Sequence, residues 1–192
     1  IVGESGCGKT TLGRCIVRAY EPTAGCVEYT ASDGQLLDFL KIDKQTMKKV
    51  RKEIQMIFQD PYSSLDPRMT VFDIIKEPII ANYPKMPKAE REQLVKDIAE
   101  KVGLNTTYLM RYPHAFSGGQ RQRINMARTV IKNADIYIFD DSFSALDFLT
   151  ESEIKENYSS LHAGKSRIVA TQRISTAMSA DRIYVMDGGS II

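Results

Sequence analysis

A glycine-rich segment near the start of the chain restricts its possible folds more than any other feature. Residues 3–10 read Gly-Glu-Ser-Gly-Cys-Gly-Lys-Thr, which matches the pattern G-x-x-x-x-G-K-[S/T]. The glycines allow backbone conformations in which successive N–H groups point toward an anion, and a helix that begins near Lys9 adds its positive N-terminal end. The pattern therefore predicts a strand, a phosphate-binding loop and a helix, in that order.

The residues on either side of the loop fit that order. Ile1 and Val2 have the character of the end of a buried strand, and residues 11–20 place Leu12 and Ile16 on one face of a helix. The glycine-rich pattern also arises by chance, so the neighbouring sequence has to decide whether it marks a phosphate-binding loop. Nearly all of the preceding strand is missing from the sequence, and we expect the N-terminal strands of the fold to be truncated.

Composition excludes several classes of function. The chain has 192 residues, a net charge of +2 and no dense block of Lys and Arg, which argues against a nucleic-acid partner. No apolar run is long enough to span a membrane. The three cysteines lack metal-ligand spacing and favour a reducing compartment. Cys7 lies inside the loop, where a thiol reagent could block binding, although we favour the interpretation that it fills an unconstrained position.

The order of predicted elements indicates an α/β domain with a helical insertion. Residues 71–111 carry almost no strand signal and contain three predicted helices, whereas predicted strands and helices occur on both sides of this block. We expect residues 1–60 and 126–192 to form the core and residues 61–125 to form a helical subdomain. The predicted strands are residues 26–29, 53–58, 135–139, 167–171 and 182–186, and the other predicted helices are residues 46–52, 120–132, 151–161 and 174–179.

Four further motifs follow the loop in a fixed order. Gln59 ends a predicted strand, and residues 116–123 read Phe-Ser-Gly-Gly-Gln-Arg-Gln-Arg. Residues 136–140 form an apolar strand that ends in Asp140, and residues 144–147 read Ser-Ala-Leu-Asp. With these motifs the whole chain resembles the nucleotide-binding domain of the ATP-binding cassette (ABC) superfamily. The resemblance implies a P-loop NTPase fold, with a RecA-like core, a mostly parallel sheet and an inserted helical subdomain.

The resemblance also implies roles for particular residues. Mg²⁺ would be held by Thr10, Gln59 and Asp140, and Gln59 would also take part in catalysis. Residues 116–123 would be the family's signature motif. ATP would lie between two such domains, on the loop of one and under the signature motif of the other, while Asp147 would signal across the interface. Ser117 is equally suited to cap the helix that follows it. The residues implied in ATP binding are Gly3, Glu4, Ser5, Gly6, Cys7, Gly8, Lys9, Thr10, Thr11, Ser117, Gly118, Gly119 and Gln120.

Two positions depart from the family's pattern. Asp141 stands where Glu is usual as the general base, so its carboxylate is set back by one methylene from the attacking water. Gln172 stands where the family has a histidine, and a glutamine carries no titratable proton. General-base catalysis contributes about 10²–10⁴-fold and depends on geometry, so we expect hydrolysis to be reduced.

The resemblance changes along the chain. Residues 1 to about 120, and residues 55–71 and 111–116 above all, resemble ATPase subunits of oligopeptide and dipeptide importers, whereas residues from about 130 onward resemble multidrug-type exporters with a degenerate site. We favour a mosaic sequence over a divergent member of one group.

Three functions follow from the resemblance. The leading one is a cytoplasmic motor domain that hydrolyses ATP at the membrane face and partners a second nucleotide-binding domain and a transmembrane subunit. The alternatives are a weakly hydrolysing subunit that completes a partner's site, and a soluble ABC ATPase of translation or repair.

Overall fold

The structure is a computed structural model that describes residues 1–31, 33–58, 64–144, 151–152 and 164–192. These residues divide into two compact units. The first contains Ile1–Met56, Ala134–Asp141 and Ser166–Ile192, and the second contains Ile57–Asn133 and Ser142–Lys165. In the described part of the chain, no helix is both long and apolar enough to cross a membrane.

The first unit contains most of the strands and the glycine-rich loop. Its helices and strands are α1 (Lys9–Ile16), β1 (Glu28–Thr30), β2 (Leu36–Asp38), α2 (Lys44–Glu53), β3 (Ile54–Ile57, whose last residue belongs to the second unit), β4 (Ile136–Asp140), β5 (Ser166–Ala170), α6 (Ile174–Ala177), β6 (Met186–Asp187) and β7 (Ser190–Ile191). Strands β3, β4 and β5 form one sheet in that order, and β4 and β5 run parallel. A buried cluster that includes Tyr29, Phe39, Val50 and Ile138 packs beside this sheet.

The end of a strand leads into the loop, as the sequence predicts. Val2 makes parallel bridges with Thr171, just after β5, and with Val185, just before β6. Its N–H donates to the Tyr184 carbonyl at 2.8 Å, and its carbonyl accepts from the Met186 N–H at 2.8 Å. Helix α1 then packs against β4, close enough that a Cβ on Gly13 would lie 3.5 Å from the Ile138 side chain.

Among the described residues of the second unit, three helices pack against one another: α3 (Val71–Asn82), α4 (Lys88–Lys101) and α5 (Gly118–Val130). Their apolar faces meet in a fully buried set that includes Ile75, Ile79, Val95 and Ile124. Two short 3₁₀ helices, Thr106–Tyr108 and Pro113–Ala115, connect α4 to α5.

Several predicted elements differ from those observed. The expected helix at residues 106–111 is only the 3₁₀ turn Thr106–Tyr108, and the expected strand at residues 182–186 is reduced to the two-residue β6. The sequence did not predict strands β2 and β7. Each is short and pairs antiparallel with the strand that precedes it in the chain. The helix predicted at residues 151–161 lies almost entirely outside the described residues.

Candidate functional site

Residues 3–8 form a tight loop in which glycine is required for two different reasons. Gly8 adopts φ of 104° as the N-cap of α1, a conformation that side chains rarely tolerate. At Gly3 the constraint is space, because a Cβ there would lie only 2.3 Å from the Met186 carbonyl oxygen. Both positions therefore exclude larger residues, and the loop can follow its narrow path into the helix.

Lys9 folds back into this loop. Its side chain is only 7% exposed, and Nζ donates to the carbonyl oxygens of Gly3 at 2.8 Å and Glu4 at 2.7 Å. The Cys7 Sγ lies 3.5 Å from the same ammonium. The positive charge is thus held at the centre of the loop, in the place that the sequence pattern predicts for phosphate binding.

The structure brings together two predicted metal ligands that are far apart in the sequence. The Thr10 hydroxyl donates to Oδ1 of Asp140 at 2.6 Å, although 130 residues separate them. Asp140 ends β4 and is 1% exposed, so its carboxylate faces α1 inside the protein. A hydroxyl and a carboxylate oxygen are consequently fixed side by side at the first turn of α1.

Asp141 follows directly in a strained backbone conformation. Its φ is 45°, in the left-handed region, and its N–H donates to the Ala170 carbonyl at 2.8 Å. Burial and the neighbouring Asp140 raise the pKa of the Asp141 carboxyl, while Lys9 and Arg173 oppose that rise. This site therefore favours the protonated form of the Asp141 carboxyl more than water does.

Gln172, which stands at the family's histidine position, lies beside Asp141. Its backbone N–H donates a hydrogen bond to the Asp141 carboxylate. The Gln172 residue itself is exposed, and it follows Thr171, which borders Val2. Arg173 is a residue of this site that the sequence analysis did not single out, although a cation next to Gln172 was visible in the sequence.

The predicted signature residues occupy the start of α5 in the second unit. Ser117 is the N-cap, its Oγ accepts from the Gln120 N–H at 3.3 Å, and the Gln120 side chain accepts from the Ser117 N–H at 3.0 Å. The predicted cap is thus confirmed as a reciprocal capping box. Ser117 is exposed, while Gly118 and Gly119 are partly exposed in the first turn.

The remaining predicted site residues are either outside the described part of the chain or exposed at its surface. Gln59 and Asp147 lie outside the described residues. Glu4, Ser5, Gly6 and Thr11 line the exposed side of the loop and the first turn of α1.

This fold and this loop define a P-loop NTPase. The family described as "ABC transporter" matches residues 1–144. The chain belongs to this family.

Two curated relatives and one solved structure illustrate the similarity. The chain is 42% identical over 195 residues to the oligopeptide transport ATP-binding protein OppF of Bacillus subtilis, covering all of this chain and 63% of OppF. It is 44% identical over 154 residues to AppF of the same organism, an oligopeptide transport ATP-binding protein, covering 80% of this chain and 45% of AppF. The chain thus spans about half to two thirds of these relatives.

The solved structure is a dimeric, post-hydrolysis state of the ATP-binding cassette MJ0796 bound to ADP and Pi. It matches with a TM-score of 0.87 and 28% identity, covering 99% of this chain and 81% of that one. The likeness extends across both units of the fold.

Proposed function

We propose that this chain is the ATP-hydrolysing motor domain of a membrane transporter, acting at the cytoplasmic face of the membrane. The observation that carries the proposal is the contact between Thr10 and Asp140 at 2.6 Å, directly beside the loop that holds Lys9. Phosphoryl transfer to water needs positioned cations and donors more than covalent chemistry from the protein. These residues supply that arrangement.

The loop residues would bind the phosphates of ATP. Lys9 now donates to neutral carbonyl oxygens of the loop, and phosphate oxygens would offer it stronger, charged acceptors. The N–H groups of residues 6–8 in the loop would act as backbone donors, and those of residues 9–10 in the first turn of α1 would add the positive end of the helix. Charge and backbone donors would thus act on the same phosphate group.

Thr10, Asp140 and Gln59 would hold Mg²⁺. The first two present oxygen donors side by side, which is the ligand type that Mg²⁺ prefers, and this cation usually completes its shell with water and substrate phosphate. Bound Mg²⁺ would neutralise charge on the phosphates during transfer. Among the described residues no cluster of three or more His, Cys, Asp or Glu could hold a metal, so a site that shares its ligands with phosphate fits best.

Asp141 would accept a proton from the attacking water, with Gln172 beside it. A raised pKa suits a general base, since basicity rises with the pKa as long as the group stays ionised at the working pH. The short Asp side chain and the missing histidine remain our grounds for expecting a reduced rate.

The signature residues would complete the site of a second copy or of a related domain. The exposed start of α5 offers the Ser117 hydroxyl, the N–H groups of Gly118 and Gly119, and Gln120 to a γ-phosphate on that partner. The matched MJ0796 cassette is described as dimeric. Residues 61–125 would form the helical subdomain that transmits closure to a transmembrane subunit.

The relatives support oligopeptide transport as the process that this domain powers. OppF and AppF are named oligopeptide transport ATP-binding proteins. They favour the motor function over a weakly hydrolysing subunit or a soluble ATPase. The exporter-like character of the chain beyond residue 130 stays a prediction.

Phosphate release from ATP by the purified chain tests the proposal. We expect Lys9→Ala to lower the rate by at least about 100-fold, because it removes the charge aimed at the transferred phosphate. Lys41→Ala is the matched control, since the Lys41 side chain is 83% exposed and forms only a surface pair with Asp38. Equal rates in the wild-type chain and Lys9→Ala would contradict the proposed function.

A further inference from the structure

The turn between β6 and β7 packs against the phosphate-binding loop. The Gly189 N–H donates to the Cys7 carbonyl at 3.1 Å, in the middle of the loop. The Met186 N–H donates to the Val2 carbonyl at 2.8 Å, directly before the loop begins. The hairpin Met186–Ile191 is therefore hydrogen-bonded to the loop and to the strand end that leads into it.

Met186 also packs against both ends of the loop. Its carbonyl oxygen would lie 2.3 Å from a Cβ on Gly3, and its Cε would lie 3.4 Å from a Cβ on Gly8. The residue is 6% exposed, whereas Met178 of the same unit is 74% exposed. One side chain and its backbone thus fill the space beneath the two glycines that define the loop.

We propose that Met186 is a positioning residue for nucleotide binding, through which the β6–β7 hairpin holds the phosphate-binding loop in its binding conformation. The proposal rests on the proposed function, because the loop's ligand is taken to be ATP. The physical reason is preorganisation: a loop that is already ordered loses less conformational entropy when it binds phosphate. The Met186 Cε is the nearest atom to a Cβ placed on Gly8, at 3.4 Å, and the Gly189 Cα follows at 3.7 Å, so Met186 supplies the side-chain part of this support.

Truncation of Met186 tests this role. Met186→Ala leaves a cavity beneath Gly8 and frees the loop to sample other conformations. If the binding-competent fraction falls to about a tenth, the apparent Kd for ATP rises about tenfold. The KM should rise in the same proportion while kcat at saturating ATP stays within about twofold, because bound ATP restores the loop.

Two variants serve as controls. Met186→Leu conserves volume and should keep the Kd within about twofold of the wild-type value. Met178→Ala removes an exposed methionine of the same unit and should leave the Kd unchanged. If Met186→Ala does not fold, Met186→Val makes the same test with a smaller truncation.

A second measurement needs no nucleotide. Hydrogen exchange of the amides of residues 3–9 should be faster in Met186→Ala than in the wild-type chain, while exchange in β4 is unchanged. A folded Met186→Ala chain with wild-type Kd and wild-type exchange in the loop would overturn the proposal. If the wild-type chain itself failed to bind ATP, the proposed function would fail, and the exchange experiment would still decide whether Met186 positions the loop.

Discussion

Asp141 combines a chemical role with a backbone conformation that few residues accept. At φ of 45°, a long side chain costs about 1–2 kcal/mol, whereas Asp and Asn pay less because their short side chains bond locally. The Asp141 carboxylate also accepts a hydrogen bond from the N–H of the distant residue Gln172. An aspartate therefore suits this backbone conformation better than the glutamate that is usual in this family. Its carboxylate, however, extends less far from the backbone.

Restoring the family's residues should raise activity and lower stability. We expect Asp141→Glu with Gln172→His to raise kcat for ATP hydrolysis by at least about tenfold, because the base extends toward the water. The same change should lower the Tm by about 2–4 °C, from the left-handed backbone at residue 141. Steady-state phosphate release and thermal unfolding measure both effects.

Asp141→Asn is the matched control for that prediction. It keeps the short side chain and the acceptor for the Gln172 N–H, but it cannot take a proton, so kcat should fall about 100-fold. If the double variant showed no gain in kcat, or if Asp141→Asn hydrolysed ATP at the wild-type rate, the role assigned to Asp141 would be wrong.

Three of the helices carry local signals in the sequence that also stabilise them. Asp43, Thr70 and Ser117 each accept a backbone N–H from the first turn of α2, α3 and α5, so the sequence marks each N-terminus. Strands β2 and β7 have three and two residues, and each pairs with the strand before it across a turn. Periodicity over so few residues carries too little information to predict them.

The sequence likewise indicated which residues belong to the site, but it did not indicate which of them contact one another. The ends of α1 and β4 were visible in the sequence, so Thr10 and Asp140 could be predicted as site residues. Their separation of 2.6 Å depends on how the sheet pairs, and the supporting contacts of Met186 depend on the hairpin beside Val2. No pattern within the loop indicates either contact.

The N-terminus of α3 gives a prediction about pH and stability. Asp73 bonds to Lys76 at 2.6 Å and to the Thr70 hydroxyl at 2.7 Å, and these contacts lower the pKa of its carboxyl. An acid with a lowered pKa in the folded state adds stability above its unfolded pKa of 3.8, and this stability is lost as the pH falls through the folded pKa.

Asp73→Asn should therefore lower stability at pH 7 by about 0.5 kcal/mol, because the carboxylate is partly exposed. The difference between variant and wild type should persist down to about pH 4 and close only below it. Urea unfolding across this range measures the difference. Glu100→Gln, at an exposed position near the end of α4, controls for loss of a surface charge. A difference that stayed constant down to the lowest pH would contradict the role of Asp73.

At the scale of the whole molecule, the two units carry complementary halves of the proposed site. The first unit holds the phosphate-binding loop and Asp140, and the second presents the start of α5. The proposed function requires that the loop of one domain works with the signature residues of another. A variant with a defective loop and a variant with a defective start of α5 should therefore form one intact site when they pair with each other.

Mixing two inactive variants tests this claim most directly. Lys9→Ala removes the charge of the loop, and Gly119→Asp places a carboxylate against the γ-phosphate while suiting the first turn of a helix. Each variant alone should be nearly inactive. In a mixed dimer both defects fall on one site and the other site is intact, so random pairing should restore about a quarter of the wild-type rate. A mixture no more active than its two components would contradict a site shared between two copies of the domain.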